Sequence, residues 1–226
     1  NILGSENVIN AALETNVKKV IALSTDKASS PANLYGATKL CSDKLFMAAN
    51  NIKGFKTISF SILRYGNVFG SRGSIYNIIK NNPKIIKMTD DKMTRFHINM
   101  NKAIELCLWA IEKSIGGEII VPKIPSYKLT DFIKSISPNS KVIKVGIRPG
   151  EKIHEEMISI NDSPNTIELK DKFLICNEMF KEKIIKHYSK QTKVRKVHAN
   201  FCYSSDDNNF LTSKELKKIH NQAISD

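Results

Sequence analysis

The sequence predicts an α/β fold with a parallel sheet, followed by a smaller α/β domain. Two observations predict it. Helix-like and strand-like segments alternate through the first half of the chain, which is typical of a parallel sheet. In addition, a short apolar strand ends in a polar loop, the place where open parallel sheets bind ligands. The 226 residues, 41% hydrophobic and 25% charged, suffice for one large domain or a domain and a half.

The first elements follow in order. Residues 2–13 place apolar side chains at helical spacing from the very start, so we expect a chain entered partway, a fragment. Residues 20–24 form a short apolar run typical of a strand buried on both faces. Tyr35 then opens a helix with a broad apolar face, and residues 57–64 form a second strand that stops at Gly66.

The later half is more mixed. A last helix is predicted over 213–223 with Ser213 as its N-cap. Beyond Asn161 the apolar periodicity weakens, and no further strand is predicted there. The remaining segments with a clear period are helices over 101–114 and 129–137 and strands over 118–121 and 142–145.

Composition excludes several classes of protein. The charge of +13 comes from 35 Lys and Arg against 22 Asp and Glu. Because these lysines are spread singly, without a stripe of aromatic residues, we expect a solvated surface and no nucleic-acid partner. No run approaches the roughly 20 apolar residues of a membrane helix, and no signal peptide opens the chain, so we expect a soluble cytoplasmic protein without a membrane partner. The four cysteines form no CxxC pair, which indicates buried small hydrophobic residues or free thiols. His198 and Cys202 have no companion ligands in the sequence, so we expect no metal site.

Two small constellations carry chemistry. The first strand delivers Ser24, Thr25, Asp26 and Lys27 to its carboxyl end, which places an acid beside a base. Tyr35 and Lys39 follow at a spacing of four, on one face of a helix. A cation beside a phenol favours its ionised form, which is a better proton acceptor. Each pattern taken alone is also compatible with ordinary surface pairs.

The ordered set of motifs is far more specific. It comprises STDKASSPANLYGATKLCSDKL, RYGNVFGSRGS, MTRFHI, GGEIIVPKIPS and IRPGEKIHE. Together they resemble the extended short-chain dehydrogenase/reductase family, and within it the soluble inverting UDP-N-acetylglucosamine 4,6-dehydratases of bacterial surface-sugar synthesis. The resemblance runs from Asn1 through at least Glu156. It implies a Rossmann-like sheet, of which only the C-terminal half is present, because the GxGxxG turn does not occur in the sequence.

The resemblance also implies a reaction and its residues. Tightly held NADP would take a hydride from C4 of the sugar, water would leave across C5 and C6, and the hydride would return to C6. By resemblance, Tyr35 would help remove the C4 hydroxyl proton and Lys39 would hold the nicotinamide ribose. Asp26 would protonate the leaving O6, Lys27 would be the base at C5, and Thr25 would position the sugar.

Binding roles follow from the same resemblance. Residues 1–75 would be the C-terminal part of the NADP-binding domain, and residues 76–226 would mainly bind the UDP-sugar, with interleaving of the two. For Arg95 and Arg148, structural salt bridges remain the alternative. The expected cofactor contacts are Ser24, Tyr35, Lys39, Tyr65 and Val68, and the expected substrate contacts are Thr25, Asn67, Arg95, Arg148 and Glu151.

Three functions stay open from the sequence. The leading one is dehydration of UDP-N-acetylglucosamine with inversion at C5, on the route to a pseudaminic acid-type glycan. The second is a 4-epimerase, which shares the Tyr35 and Lys39 chemistry without eliminating water, and against which the Asp26–Lys27 pair argues. The third is an inactive truncated remnant. The family implies a homo-oligomer for the complete protein, through the helix from Tyr35 and the opening helix.

Overall fold

The computed structural model describes residues 1–71, 73–81 and 83–225. The helices are α1 (Ile2–Glu14), α2 (Leu34–Ile52), α3 (Ile75–Ile79), α4 (Met100–Lys113), α5 (Leu129–Ile136), α6 (Lys181–Ser189) and α7 (Ser213–Ser225). The strands are β1 (Lys19–Thr25), β2 (Ser59–Tyr65), β3 (Ile85–Met88), β4 (Thr94–Phe96), β5 (Glu118–Pro122), β6 (Ser126–Lys128), β7 (Lys141–Lys144), β8 (Glu156–Ile158), β9 (Thr166–Glu168), β10 (Lys172–Cys176), β11 (Arg195–Lys196) and β12 (Tyr203–Ser204). Short 3₁₀ turns lie at Asp26–Ala28, Ile160–Asn165 and Glu178–Phe180.

The chain folds into two compact units. The first contains Asn1–Tyr65, Ile104–Lys123 and Glu156–Tyr203. The second contains Gly66–Ala103, Ile124–Glu155 and the residues from Ser204 on. The chain passes between them repeatedly, so no single crossing point at residue 75 divides it. The assignment of cofactor binding to residues 1–75 and substrate binding to residues 76–226 stays a prediction.

The first unit is built on a six-stranded sheet in the order β1-β2-β5-β10-β9-β11. The predicted parallel sheet is confirmed for β1, β2 and β5. From β10 outward the pairing is antiparallel. Strands β9 and β10 are joined by only three residues, which permits a hairpin but no crossover helix. These short strands lie in the region beyond Asn161, where the sequence pattern predicted none.

Apolar side chains explain the layers of this unit. All residues of β2 but its last are buried. Helix α2 packs on this sheet and begins at Asn33, whose side chain accepts the Gly36 N–H at 2.9 Å as an N-cap. Helix α1 lies beside α2, where the hydroxyls of Ser5 and Ser42 are 2.7 Å apart. Fully buried side chains of the sheet include Phe60, Ile62, Leu63, Ile120, Val121 and Leu174.

The second unit pairs β3 with β7 in parallel and β4 with β6 in antiparallel orientation. The N-cap of helix α7 lies one residue earlier than predicted. The N-cap is Thr212 and not Ser213, because the Thr212 hydroxyl accepts the Glu215 N–H at 3.3 Å while Glu215 accepts the Thr212 N–H at 2.8 Å. The core of this unit is Tyr76, Ile79, Ile86, Met88, Met93, Tyr127, Leu129, Phe132, Ile133, Ile136 and Leu216.

Other sequence-based expectations concern cysteines, metals and membranes. All four cysteines are free thiols, as predicted, with Cys176 buried and Cys41 exposed. Among the described residues, no three His, Cys, Asp or Glu side chains group as a metal site would require. Within the same part of the chain, no helix combines the length and apolar character needed to cross a membrane.

Candidate active site

The acid and the base predicted from the sequence are in direct contact in the first unit. Strand β1 ends at Thr25, and the chain turns through Asp26 and Lys27 in a 3₁₀ turn. Asp26 is 1% exposed, and its Oδ1 accepts hydrogen bonds from Thr25 Oγ1 at 2.8 Å and Lys27 Nζ at 2.9 Å. Its Oδ2 is also buried and has no partner among the described residues. One oxygen of this buried carboxyl is therefore unpaired within the described structure.

Helix α2 brings the second predicted pair to the same turn. Tyr35 is half-exposed, and Lys39 Nζ donates to the Leu23 carbonyl at the end of β1 over 2.8 Å. Gly36 lies between them in the sequence. A Cβ on Gly36 would meet the Lys27 carbonyl oxygen at 2.4 Å. The first turn of α2 therefore lies directly against the turn that carries the acid and the base, which only glycine permits.

A buried network beneath this turn was missed by the sequence analysis. Asp43 Oδ2 accepts from Ser24 Oγ at 2.7 Å and from Arg64 Nη2 at 2.9 Å. Arg64 is 2% exposed and also donates to the Met157 carbonyl at 2.9 Å. The Ser24 hydroxyl, predicted to contact a cofactor, thus donates to Asp43. The available signal was spacing, because positions 35, 39 and 43 share one helical face.

Tyr65 ends strand β2 at the same edge of the sheet. It pairs in register with Thr25, so both residues lie at the carboxyl ends of neighbouring parallel strands. Burial raises the pKa of the Tyr65 phenol, and the neighbouring Cys107 adds to this effect. Tyr65 is therefore a neutral hydrogen-bond donor at neutral pH. The first unit brings together the predicted residues Ser24, Thr25, Asp26, Lys27, Tyr35, Lys39 and Tyr65.

The second unit contains the other predicted residues, around a cavity of ≈ 290 Å³. The predicted residues come from three separate segments of the sequence. Those predicted to bind substrate or cofactor that line this cavity are Asn67, Val68, Arg95, Arg148 and Glu151.

Aromatic side chains, which the sequence analysis did not select, form much of this cavity. The Phe69 ring lies 4.4 Å from Tyr76, and the Tyr127 ring lies 4.6 Å from Phe132. His97 packs 5.5 Å from Phe69, and burial lowers its pKa to about 4. The imidazole is therefore neutral at pH 7. Stacking surfaces with one polar ring suit a planar heterocycle.

Arg95 is committed to the protein itself. One guanidinium nitrogen, Nη1, donates to a carbonyl of its own strand and to Ile153, and Nη2 donates to Lys152 at 3.1 Å. Its Nε lies 3.5 Å from the buried carboxylate of Glu155. The structural alternative considered for this arginine therefore describes its observed contacts, although the side chain still borders the cavity.

Arg148 and Glu151 form a more open pair. The Arg148 side chain is 69% exposed, and its Nε lies 3.7 Å from Glu151 Oε1. The Arg148 backbone N–H donates to Glu151 Oε2 at 3.3 Å. Most of the donors of this guanidinium face solvent at the cavity, where a planar fork is suited to phosphate.

Comparisons with known proteins agree with this arrangement. The chain is 47% identical over 229 residues to "UDP-N-acetylglucosamine 4,6-dehydratase (inverting)" of Campylobacter jejuni, covering 98% of this chain and 69% of that protein. It is 31% identical over 226 residues to a UDP-glucose 4-epimerase of Rickettsia canadensis, covering 97% of this chain and 66% of the epimerase. Among solved structures, Pen from Bacillus thuringiensis superimposes with a TM-score of 0.85 at 32% identity, covering 99% of this chain and 68% of Pen.

The family model described as "Polysaccharide biosynthesis protein" matches residues 1–177. This match contains the acid–base turn, helix α2 and the residues that line the cavity. Family, fold and site thus coincide over most of the sequence, and the chain belongs to the polysaccharide biosynthesis protein family.

Proposed function

We propose that this chain carries the acid–base and nucleotide-binding residues of an NADP-dependent UDP-N-acetylglucosamine 4,6-dehydratase that inverts C5. The observation that carries the proposal is the contact between buried Asp26 and Lys27, packed beneath the first turn of α2. An epimerase requires no such acid beside a base. The product would enter a bacterial surface glycan of the pseudaminic acid type, made in the cytoplasm.

The residues present fit the nicotinamide end of a dinucleotide, and we propose NADP over NAD. Half-exposed Tyr35 and the ammonium of Lys39 stand at the carboxyl edge of the sheet, where such cofactors bind. The glycine-rich turn for the pyrophosphate does not occur in the 226 residues. When bound, the dinucleotide supplies hydride acceptance from C4 of the sugar and hydride return to C6.

Asp26 Oδ1 and Lys27 Nζ are 2.9 Å apart, so a proton can pass directly between them during the elimination. With the proton on Asp26, Lys27 is a neutral amine able to remove the C5 proton, and Asp26 is an acid able to protonate the departing O6. Water would then leave with the Asp26 proton, and Lys27 would hold the proton removed from C5. After hydride return to C6, C5 takes back one proton, and its delivery to the opposite face would invert this centre.

Tyr35 and Lys39 act at C4. Tyr35 would accept the C4 hydroxyl proton as a phenolate, and the Lys39 ammonium, fixed by the Leu23 carbonyl, would favour that ionised form before the transfer. Thr25 Oγ1 already donates to Asp26 and accepts the Lys27 backbone N–H at 3.4 Å, which leaves one lone pair to accept a sugar hydroxyl.

The cavity of the second unit would bind the UDP portion. Its aromatic walls suit the uracil ring, and the exposed guanidinium of Arg148 suits the diphosphate. Glu151 would accept hydroxyls of the uridine ribose. The surplus of positive charge over the whole chain would favour approach of this anionic substrate.

Mass spectrometry of UDP-N-acetylglucosamine tests the proposal. The protein encoded by the intact gene is incubated with NADP and substrate, beside Lys27→Ala, Asp26→Asn and the control Lys44→Ala, an exposed lysine of α2. We expect loss of one water with the parent and the control, and a decrease of about 100-fold or more in both site variants. An unchanged mass would reject dehydration, and NMR of the same sample would then show whether C4 is epimerised.

We also propose that the complete protein is a homo-oligomer that associates through α1 and α2. Leu3 and Val8 on α1 are 72% and 50% exposed, which leaves an apolar face uncovered. Light scattering of the intact protein should give a multiple of the protomer mass, and Leu3→Glu with Val8→Glu should reduce it. A monomeric parent protein would contradict this proposal.

A further inference from the structure

The Glu156 carboxylate, which lies outside the proposed acid–base and nucleotide-binding residues, holds the loop that follows the acid–base turn. Glu156 begins strand β8 in the first unit. Its Oε1 accepts Ser29 Oγ at 2.9 Å and Ser30 Oγ at 2.6 Å, and its Oε2 accepts the Cys202 thiol at 3.2 Å. Because these serines are separated from Asp26 and Lys27 by a single residue, Glu156 fixes the exit of that turn.

The backbone at this point is strained. Ser30 has φ +42°, a left-handed conformation that non-glycine residues adopt at a cost in free energy. Pro31 follows and restricts the residue before it to extended conformations, which adds to that cost. Such a conformation persists only when surrounding contacts hold it. The Ser30 hydroxyl donates to Glu156 Oε1.

The strained residue lies three positions before Asn33, the N-cap of helix α2. Two atoms border the empty position beside Gly36, namely the Lys27 carbonyl oxygen at 2.4 Å and Pro31 Cβ at 2.9 Å from an added Cβ. If Ser30 relaxed to a negative φ, Pro31 would move relative to Gly36. Tyr35, the neighbour of Gly36, would then shift relative to the Asp26–Lys27 pair.

We propose that Glu156 is a positioning residue: by accepting both serine hydroxyls it holds Ser30 at positive φ and so fixes Tyr35 relative to Asp26 and Lys27. The consequence for turnover rests on the proposed dehydratase function. The consequence for backbone order in residues 27–36 does not depend on it.

Steady-state kinetics of the intact protein with NADP and UDP-N-acetylglucosamine test the role in turnover. We expect Glu156→Ala to lower kcat by about 10- to 100-fold, since misplacement of reacting groups by about 1 Å can cost about 100-fold. KM should stay within about twofold. Glu156→Gln keeps an amide oxygen that accepts hydroxyls and should retain most of the activity. The matched control is Glu168→Ala, which removes a part-buried carboxylate that pairs with Lys123 at 2.7 Å in the same unit.

Substitutions at Ser30 separate positioning from general stability. Ser30→Ala removes the hydroxyl and keeps the strain, so kcat should fall as in Glu156→Ala. Ser30→Gly removes the hydroxyl but adopts positive φ without strain, so it should stay near the parent. Added to Glu156→Ala, Ser30→Gly should restore most of kcat. The inference is overturned if Glu156→Ala keeps kcat within twofold, or if glycine and alanine at position 30 behave alike.

Hydrogen exchange separates failure of this inference from failure of the proposed function. The readout is the exchange rate of the backbone amides of residues 27–36. Glu156→Ala should accelerate exchange there at least tenfold, and the added Ser30→Gly should reverse the change. If the parent releases no water from the substrate, the proposed function fails and this exchange pattern alone decides the inference. Unchanged exchange in Glu156→Ala overturns it. If Glu156→Ala does not fold, Ser30→Ala and Ser30→Gly decide by the same measurements.

Discussion

The acid–base turn of the first unit and the cavity of the second unit are built in different ways. The turn is polar, and hydrogen bonds constrain it tightly. Asp26 is 1% exposed and accepts hydrogen bonds from both of its sequence neighbours, Thr25 and Lys27. Five aromatic rings contribute to the lining of the cavity. Of the two arginines in its described lining, Arg95 is the more buried and donates hydrogen bonds to backbone carbonyls.

This difference separates two requirements of an enzyme. Proton transfer needs groups held at fixed distances, so the turn is held by local hydrogen bonds and a glycine contact. Binding of a planar ring needs surface area and few polar groups, so the cavity is formed by packing. Substitutions in the turn should therefore change kcat, and substitutions in the cavity should change KM or the stability of the second unit.

The largest effect is expected where the turn depends on a buried ion pair. Arg64→Met leaves Asp43 buried without its cation, and removal of one partner of such a pair costs about 3–5 kcal/mol. Urea unfolding of the intact protein, followed by circular dichroism, measures the loss. Arg148→Met, at an exposed arginine of the cavity, should change the free energy of unfolding by less than about 0.5 kcal/mol. Equal effects of the two variants would remove the contrast between the regions.

The next effect should fall on turnover alone. Gly36→Ala places a Cβ 2.4 Å from the Lys27 carbonyl oxygen and pushes α2 away from the turn. We expect kcat to fall about 100-fold with KM nearly unchanged. Gly4→Ala is the matched control, because nothing lies within 4 Å of its added Cβ and alanine favours the helix by about 1 kcal/mol. A kcat of Gly36→Ala within threefold of the parent would show that the contact is not needed.

The next prediction concerns the stability of the fold in acid, which should depend on His97 in the cavity lining. In the folded state the pKa of His97 is about 4, against 6.5 in the unfolded chain, because burial disfavours the cation. Between these values the unfolded state binds more protons, so stability falls as the pH falls through this window. We expect about 2 kcal/mol of loss attributable to His97 between pH 7.5 and pH 5.

Denaturant unfolding at both pH values, compared in His97→Phe and in the exposed control His198→Gln, measures this share. The phenylalanine variant should lose about 2 kcal/mol less than the parent on acidification, and the control should follow the parent. An equal loss of unfolding free energy on acidification in the parent and in His97→Phe would contradict the assignment of this effect to the buried His97 ring.

The smallest effect is expected at the open edge of the cavity. Arg148→Ala removes an exposed guanidinium proposed to contact the diphosphate, which should raise KM about tenfold, since bonds to a charged group contribute about 1.5 kcal/mol. The value of kcat should stay within twofold. Lys134→Ala, a substitution on α5 outside the cavity lining, should change neither constant. A fall in kcat with unchanged KM would instead assign Arg148 to the chemical step and not to substrate binding.

The predictability of the two regions from the sequence follows their construction. Asp26, Lys27, Tyr35 and Lys39 are encoded by adjacency and helical spacing, and the structure brings their segments together. The helix, strand and parallel pairing of the first half were likewise predicted from local periodicity. The family match agrees with the resemblance inferred from the same motifs.

The features that the sequence did not predict depend on contacts between distant segments or on a choice between two suitable residues. Glu156 meets Ser29 across 127 positions of sequence, and no local pattern encodes that meeting. The cavity aromatics Phe69, His97 and Tyr127 come from separate segments whose apolar character suggests only a core. The cap of α7 was misplaced by one residue because Thr212 and Ser213 are both suitable caps, and the choice depended on Glu215.

The mixed pairing of the six-stranded sheet has a consequence for how the chain folds. Strands β9 and β10 are neighbours in sequence and can pair within microseconds, whereas β1 and β2 must wait until the 19-residue helix α2 bridges them. Parallel pairs with such separation have high contact order and form slowly. We therefore expect the edge that carries Thr25 and Tyr65 to pair later than the β9–β10 hairpin.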